Sequence, residues 1–476
     1  MNTSRHKGLA LMILAVSQLM LALDYTIVFV ALPSLGADLG FSANHLQWVV
    51  SAYSLVYGGF LLLGGRLSDM LGRRRMFMIA IALFGVGSLI GGLASSQVLL
   101  IVARGLQGLG GALLSPSTLS LIMSNFDEGA ERNRAMSIWA AMGGVGLSLG
   151  LLLGGILTSY LGWEFTFFVN VPVSLIALIL APSVLVESKA GPGHKHFDAL
   201  GTISVTGGMI LLVYYLIQSP IEGWLSMGTL PFGLISAALF IGFAVIERFA
   251  KEPLVPFRLF RNRNLSGAAL TAALFSASFG TLYYFLTLYT QDVLHYSAIQ
   301  SGLSFLPLTI SALLGSRLIN KMLGAAGTAG TIAIGMALGG IGFILLTQLS
   351  DKGTVWGMIP GTVIIGLGQA LVFTTMFIAG GTGIEPRDQG VSSAIVSTGQ
   401  QIGSSVGLAI IMAIISASLG SDIKLETSKP FDLNHAVHIA FTVALVITLL
   451  GILVAFMTLK QKKRTSEVDR QGISSR

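Results

Sequence analysis

The sequence predicts an all-helical integral membrane protein with fourteen transmembrane helices, and three observations support this: its composition, its long apolar runs and an internal repeat. Of the 476 residues, 53% are hydrophobic and only 10% are charged, whereas roughly a quarter of the residues in an ordinary soluble domain are charged. A soluble chain of this length needs a polar surface that this composition does not supply. The lipid bilayer is therefore the main solvent of the chain.

Apolar runs of membrane-spanning length follow one another between polar breaks from one end of the chain to the other. The first run follows Arg5 and Lys7, as a signal peptide would. It is too long for one and has no small-residue cleavage site before Pro33, so we expect it to be retained. The fourteen runs are 9–32, 46–65, 75–94, 98–122, 135–160, 165–186, 198–217, 228–248, 267–290, 301–318, 328–348, 355–379, 393–418 and 436–459.

The distribution of Lys and Arg predicts the orientation of the chain in the membrane. If the N-terminus is cytoplasmic and successive loops alternate between the two sides of the membrane, 24 of the 28 basic residues lie on the cytoplasmic side and three on the other. The remaining one, Arg104, lies inside a helix. Because short basic loops stay in the cytoplasm, we expect both termini there, in a cell (inner or plasma) membrane. Tryptophans at predicted outer ends fit a role as membrane-interface anchors; they are Trp48, Trp163, Trp224 and Trp356.

The first six and last six runs form an internal parallel repeat. Four short segments recur in the same order at nearly constant offsets: LGFSA at 39–43 and LHYSA at 294–298, GRLSDMLG at 65–72 and SRLINKMLG at 316–324, GLGGAL at 108–113 and GLGQAL at 366–371, and a glycine run in each half. We therefore predict an N-terminal six-helix bundle in 1–188, inserted helices 7 and 8 with flanking loops in 189–264, a C-terminal six-helix bundle in 265–460 and a basic cytoplasmic tail in 461–476.

Two glycine ladders with a spacing of four residues lie in predicted helices 5 and 13. Residues four apart share a helix face, and a face without side chains lets another backbone approach closely. Static packing and a sliding seam between helices both fit this pattern, and we give the sliding seam at least equal weight. The ladders are Gly146, Gly150 and Gly154 in helix 5, and Gly399, Gly403 and Gly407 in helix 13.

Among the charged residues, only Asp24 and Arg104 lie well inside predicted spans. A charge in the membrane interior costs roughly 2.5–3.5 kcal/mol on insertion scales, and such residues are often functional. Asp24 either pairs with Arg104 to tie helices 1 and 4 together, or is a carboxylate whose protonation changes with its surroundings, and we favour the second. Arg104 either balances Asp24 or binds substrate, and we weigh these two roles equally.

The segment GGRLSDMLGRRR at 64–75 forms a predicted cytoplasmic loop between helices 2 and 3. Arginines alone indicate only the cytoplasmic side, but Asp69 adds a carboxylate that can accept hydrogen bonds from a helix end and pair with arginine. We therefore predict a conformational latch, formed by Gly65, Arg66, Asp69, Gly72 and Arg73.

Several aromatic and amide residues near the predicted pathway are candidates for substrate binding, although packing or lipid contact is the commoner role for any one of them. They are Tyr53, Tyr57, Gln107, Trp139, Tyr283, Tyr284 and Gln369. No cofactor or metal site is predicted, since the chain has no cysteine and its seven histidines lack metal-ligand spacing. No nucleotide loop ending in Gly-Lys-Ser/Thr is present, and the basic residues are explained by topology, so we expect neither nucleotide nor nucleic acid as a partner.

The sequence resembles the fourteen-helix drug:proton antiporters of the major facilitator superfamily, which are multidrug efflux transporters. The resemblance covers nearly the whole chain and implies a major facilitator fold with six, two and six helices. In that family, Arg in the helix 4 motif is associated with proton transfer, and Asp in helix 1 is membrane-embedded. The matching segments are LDYTIVFVALP at 23–33, GRLSDMLGRRR at 65–75, RGLQGLGGA at 104–112, WEFTFFVNVP at 163–172 and FDALG at 197–201.

One position departs from the family pattern. The helix 5 motif has a proline after its glycine, whereas GLSLGLLLGG at 146–155 has Leu151 there. A proline would free a backbone carbonyl and kink the helix. With leucine at this position the glycine ladder stays regular, but the proline that belongs to the family's antiporter motif is absent.

The function predicted from these features is proton-coupled export of amphipathic, cationic compounds by alternating access. The expected partners of the monomer are a small-molecule substrate, protons and the lipid bilayer. The same scaffold also suits an exporter or facilitator of a lipid, a siderophore or a small metabolite. A membrane enzyme would need converging catalytic groups or metal ligands, which the sequence lacks. A receptor is disfavoured by the repeat and by the single buried acid.

Overall fold

The computed structural model describes residues 2–41, 43–187, 198–250, 253–419 and 430–459, and the regular structure in these ranges is entirely helical. The predicted basic tail at 461–476 lies outside the described residues. The helices are α1 (Asn2–Asp38), α2 (Ala43–Leu71), α3 (Arg73–Gly92), α4 (Gln97–Asn125), α5 (Ala130–Tyr160), α6 (Phe165–Phe168 and Asn170–Val184), α7 (Ala199–Glu222), α8 (Leu230–Phe249), α9 (Arg263–Phe275, Ser276–Gly280, Thr281–Leu288 and Tyr289–Val293), α10 (Ala298–Ser304 and Leu306–Ser316), α11 (Ile319–Leu346), α12 (Val355–Gly381), α13 (Gln389–Leu419) and α14 (Pro430–Thr458).

Each of the fourteen predicted spans corresponds to one of these helices. Within the described ranges, thirteen are long and apolar enough to cross a membrane, and α7 contributes a shorter apolar stretch, Leu200–Leu216. The all-helical fold class is confirmed. The cytoplasmic location of both termini stays a prediction.

Most helices extend beyond the predicted apolar runs, because helix geometry continues past the point where apolar side chains end. Residues 64–75 are the clearest difference. The predicted loop is helical except at Gly72, which separates α2 from α3 with a φ of 101°, a conformation that glycine adopts without strain. In α11, Gly327 has a φ of 67°, and the predicted run begins only after this break.

The interface-anchor role predicted for Trp163 is wrong. Its side chain is only 3% exposed, and its indole N–H donates to a carboxylate oxygen of Asp38 at the end of α1, over 2.9 Å. A buried indole N–H needs a hydrogen-bond acceptor, and Asp38 provides one inside the protein. Trp356, by contrast, is 75% exposed, as an anchor at the membrane surface would be.

The two sets of six helices pack in the same pattern. Helix α1 packs along α5 as α9 packs along α13, and α4 contacts both α2 and α3 as α12 contacts both α10 and α11. The two sets meet where α2 contacts α13 and where α5 contacts α10, while α7 lies against α2 and α13 and α8 packs on α7. This is the packing that a parallel six-helix repeat requires. The exact domain boundaries stay predictions.

The glycine ladders lie inside each half and not between the halves. Gly146, Gly150 and Gly154 of α5 face the backbone of α1, while Gly399, Gly403 and Gly407 of α13 face the backbone of α9. Added Cβ atoms would lie under 3.0 Å from the facing backbone, so the two helix pairs are in direct backbone contact. The close packing is a structural fact; sliding along it stays a hypothesis.

Replacing Gly146 by Ala is expected to destabilise the protein. The new Cβ would lie 2.5 Å from the carbonyl oxygen of Leu19 and 2.7 Å from Cβ of Ala22. Because the backbone of α1 cannot easily shift to make room for the new atom, the free energy of unfolding should fall by about 1–3 kcal/mol. Thermal unfolding of the purified protein in detergent measures the effect.

Gly144 provides the matched control, because it lies in the same helix and an added Cβ would meet nothing within 4 Å. Gly144→Ala should leave the melting temperature unchanged or raise it, since alanine favours the helical conformation by roughly 0.5–1 kcal/mol over glycine. Equal melting temperatures for the two variants would show that the close contact between α1 and α5 does not limit the side chain at position 146.

Candidate functional site

Asp24 lies in the middle of α1 at the centre of a buried polar cluster. Its side chain is fully buried. Oδ2 accepts a hydrogen bond from Nη1 of Arg104 over 2.7 Å, and Oδ1 accepts from Nε2 of Gln107 and from Nδ2 of Asn170, each over 2.8 Å. Ion pairing together with further hydrogen bonds is what a buried charge requires. The carboxylate therefore joins α1 to α4 and α6.

Arg104 also has contacts that do not involve Asp24. Its Nε donates to the carbonyl oxygen of Val49 over 2.9 Å, and Nη1 donates to Oε1 of Gln107 over 2.9 Å. The guanidinium carbon lies 4.5 Å from the centre of the Tyr53 ring, in the arrangement of a cation–π interaction. These partners hold the guanidinium in place independently of the charge on Asp24.

The glycines of the RGLQGLGGA segment explain how the cluster is assembled. Gly108 faces the backbone of Tyr53 in α2, and Gly110 faces the backbone of Phe84 in α3. Without side chains at these positions α4 fits closely between its two neighbours. This packing brings Gln107 to Ser88 of α3, where its Nε2 donates to the hydroxyl over 2.8 Å.

Of the residues in this polar cluster, Asp24, Arg104, Gln107 and Tyr53 were predicted from the sequence as site residues, whereas Asn170 was not. Asn170 begins the longer part of α6, directly after Val169 separates the two parts. Two residues later Pro172 has no N–H to continue the helix ladder. A polar amide beside a proline within an apolar run was a signal that the sequence already carried.

At the end of the molecule where α2 meets α13, Asp69 binds the first turn of α13. Its two carboxylate oxygens accept hydrogen bonds from the N–H groups of Gly390 and Val391, each over 3.0 Å. Nη2 of Arg73 lies 3.6 Å from Oδ1. Asp69 is only 1% exposed, so a buried carboxylate of one half caps the positive end of a helix in the other half.

The other predicted latch residues surround this contact. Gly65 lies against the backbone of Gly390, where neither residue has room for a Cβ. Arg66 is buried at 3% exposure. An added Cβ at Gly72 would meet the carboxylate of Glu187. The structure therefore brings the predicted latch residues to one place and shows why two of them are glycine.

A second cross-link at the same end was missed by sequence reasoning. Arg258, in the short helix Phe257–Arg261 between α8 and α9, forms ion pairs with Asp388 and Glu385 just before α13. Buried Glu247 near the end of α8 accepts hydrogen bonds from the N–H groups of Leu254 and Val255 (2.9 and 3.3 Å) and fixes this connecting segment. These contacts connect the inserted helix pair to the beginning of α13, which is the helix end that Asp69 caps.

The predicted substrate-binding residues fall into separate groups. Tyr53 and Tyr57 stack with ring centres 5.7 Å apart. In the second half, Nε2 of Gln369 donates to the Tyr283 hydroxyl over 3.1 Å. Tyr284 is 44% exposed, and its ring packs edge-on against Phe285 with ring centres 5.1 Å apart.

Trp139 of α5 is a contact between the halves. It is 1% exposed and packs against Phe373 and Phe377 of α12, with ring centres 6.0 and 5.4 Å apart. A large aromatic side chain buried in this way contributes mainly through packing, so the structure gives Trp139 a role in the interface between the halves.

Two similarly packed sets of six membrane-spanning helices are the architecture of a multi-pass secondary transporter of the cell membrane. The chain matches the Major Facilitator Superfamily over residues 14–408 and belongs to that superfamily. This confirms the resemblance identified from the sequence motifs.

Relatives and a solved structure agree with this assignment. The chain is 36% identical over 399 residues to the puromycin resistance protein pur8 of Streptomyces alboniger, covering 83% of this chain and 79% of the relative. It is 38% identical over 403 residues to the cephamycin export protein CmcT of Amycolatopsis lactamdurans, covering 83% and 82%. The human organic anion transporter MFSD10 (TETRAN) shares the fold, with a TM-score of 0.65 and 15% identity over 94% of this chain and 99% of that chain.

Proposed function

We propose that this transporter is a proton-coupled antiporter that exports amphipathic, cationic drugs, dyes or antiseptics by alternating access. The observation that carries the proposal is the set of contacts around Asp24 and Arg104. The names of the relatives, which refer to antibiotic resistance and export, support the outward direction of transport.

The proposed coupling uses Asp24 as the proton-exchanging group. When Asp24 takes up a proton, its ion pair with Arg104 is lost, but Arg104 keeps the Val49 carbonyl, the Gln107 amide oxygen and the Tyr53 ring as partners. The carboxyl group can therefore change charge without leaving an unsupported arginine. A bound cation favours the ionised carboxylate and a proton opposes it, so the two compete.

Alternating access requires the two halves to move relative to each other. We infer that the Asp69 contact with α13 is the latch for this motion, since it joins the halves through hydrogen bonds that break without disturbing either bundle. The contacts of α5 with α10 and of α2 with α13 are the interfaces across which the halves rock.

A transport assay with a cationic dye tests this proposal. Cells that express the protein are loaded with ethidium and energised, and loss of fluorescence is followed with and without a protonophore. Export should be faster than in cells carrying the empty vector, and the protonophore should abolish the difference. Moving a monovalent cation out of a cell that is negative inside costs roughly 2.3 kcal/mol per 100 mV of membrane potential, whereas an entering proton gains the same amount. The pH difference and the potential are therefore collapsed separately with ionophores.

Two results separate the proposal from its alternative. Export that persists after both gradients are collapsed contradicts proton coupling. Failure to export any of several cationic dyes, together with export of a neutral or anionic metabolite, favours the metabolite exporter that the name of the cephamycin export protein suggests.

A further inference from the structure

A cleft between the two halves lies at one end of α5 and α10. Its volume is about 510 Å³, within the range of roughly 300–1,000 Å³ that small-molecule sites occupy. Arg134 of α5 lines one wall, and Arg317, directly after α10, lines the other, with Asn320 of α11 beside it. The cleft is separate from the Asp24 cluster and uses none of its residues.

The two walls share the same order of side chains from the helix ends inward. On α5, Arg134 is followed at four-residue spacing by Ile138 and Met142, and on α10, Arg317 is preceded at the same spacing by Leu313. Residues four apart lie on one face of a helix, one turn above each other. Each wall therefore presents a guanidinium at the end of the span and apolar side chains deeper in the membrane.

Arg134 and Arg317 are both exposed residues. Neither Arg134 nor Arg317 forms an ion pair with a carboxylate in the part of the chain that the structure describes. Arg258, at the same end of the molecule, is paired with Asp388 and Glu385. The cleft thus concentrates two positive charges beside an apolar slot.

We propose that this cleft binds an anionic phospholipid of the adjoining membrane leaflet, with the phosphate between Arg134 and Arg317 and an acyl chain along Ile138, Met142 and Leu313. Arginine binds phosphate through paired N–H donors, and basic pockets between membrane helices suit acidic headgroups. A soluble anion would use the two arginines but would leave the apolar part of the cleft empty. The amphipathic lining therefore selects a lipid.

The position of the two arginines gives the lipid a mechanical consequence. Arg134 belongs to the first half and Arg317 to the second, so a bound phosphate bridges the halves. A ligand shifts a conformational equilibrium when it binds one state better than the other. The lipid stabilises the arrangement in which both arginines reach one phosphate.

Native mass spectrometry of the full-length protein in detergent, titrated with phosphatidylglycerol, tests this site. Arg134→Gln and Arg317→Gln should each weaken binding of the first phosphatidylglycerol by about fivefold, and the double variant by about 25-fold, given the contribution of one arginine near an anionic surface. The double Lys variant, Arg134→Lys with Arg317→Lys, should lose less affinity than the double Gln variant, because both charges remain although the paired N–H donors are lost.

The control removes two other exposed arginines at helix ends, with Arg75→Gln in α3 and Arg248→Gln in α8. Its affinity for phosphatidylglycerol should stay within about twofold of that of the parent, because only general surface charge is lost. Equal weakening in the control and the Arg134/Arg317 double variant would overturn the site. Displacement of phosphatidylglycerol by equimolar glycerol 3-phosphate would also overturn it, since the ligand would then be a free anion.

Discussion

Asp24→Asn is expected to abolish uphill export while leaving the protein inserted and folded. Asparagine has nearly the same shape and can still accept a hydrogen bond, but it has no charge to exchange for a proton. One pH unit corresponds to about 1.4 kcal/mol, so each coupled proton should support about a tenfold substrate gradient per unit in the parent. The variant should equilibrate substrate without concentrating it.

The measurement is substrate accumulation in proteoliposomes under an imposed pH difference, with substrate binding measured at several pH values. Acidification should weaken cation binding in the parent, because coupling between proton and cation is reciprocal, and this pH dependence should vanish in Asp24→Asn. If the variant concentrates substrate like the parent, Asp24 is only the structural partner of Arg104.

Asp38→Asn is the matched control, because Asp38 is in the same helix but exposed at its end. It accepts a hydrogen bond from the Trp163 indole, which an asparagine oxygen can also accept. Transport by this variant should match that of the parent. A comparable loss in both variants would point to general damage to α1.

Asp69→Asn is expected to slow transport about tenfold or more without reducing substrate affinity. The carboxylate accepts one hydrogen bond on each oxygen from the first turn of α13, whereas an amide has only one acceptor oxygen. Loss of one hydrogen bond to a charged group amounts to about 1.5–3 kcal/mol. This is enough to change the ratio of conformations by a factor of ten or more.

Transport rate and substrate binding are measured separately, together with the separation of the halves. The chain has no cysteine, so Leu71→Cys and Thr382→Cys introduce two exposed spin-label sites at the ends of α2 and α12. Asp69→Asn should enrich the longer label distances. An unchanged distance distribution and transport rate would mean that Asp69 is not a latch.

Asp127→Asn is the control for a carboxylate in a surface ion pair. Asp127 lies 3.2 Å from the Lys7 ammonium and is 89% exposed, and exposed ion pairs contribute little to stability. Its removal should leave both the transport rate and the label distances unchanged. A difference between the Asp69→Asn and Asp127→Asn variants would therefore be due to the lost hydrogen bond at the beginning of α13 and not to the loss of a carboxylate in general.

The sequence by itself determined the number and order of the helices, because a membrane span requires a local apolar run of sufficient length. It also identified Asp24 and Arg104, since a charge in such a run is conspicuous. The glycine ladders were equally visible because their spacing matches one helix face. These signals are local in the chain.

Only the tertiary structure decided which distant segments these residues contact. Asp69 caps an N–H group 321 residues away, Asn170 reaches Asp24 from α6, and the ladder of α5 faces α1. The length and periodicity of an apolar run show that a helix has a contact face, but they do not show which other helix packs against that face. That choice depends on how all the helices pack together, which also explains why Trp163 turned inward to Asp38.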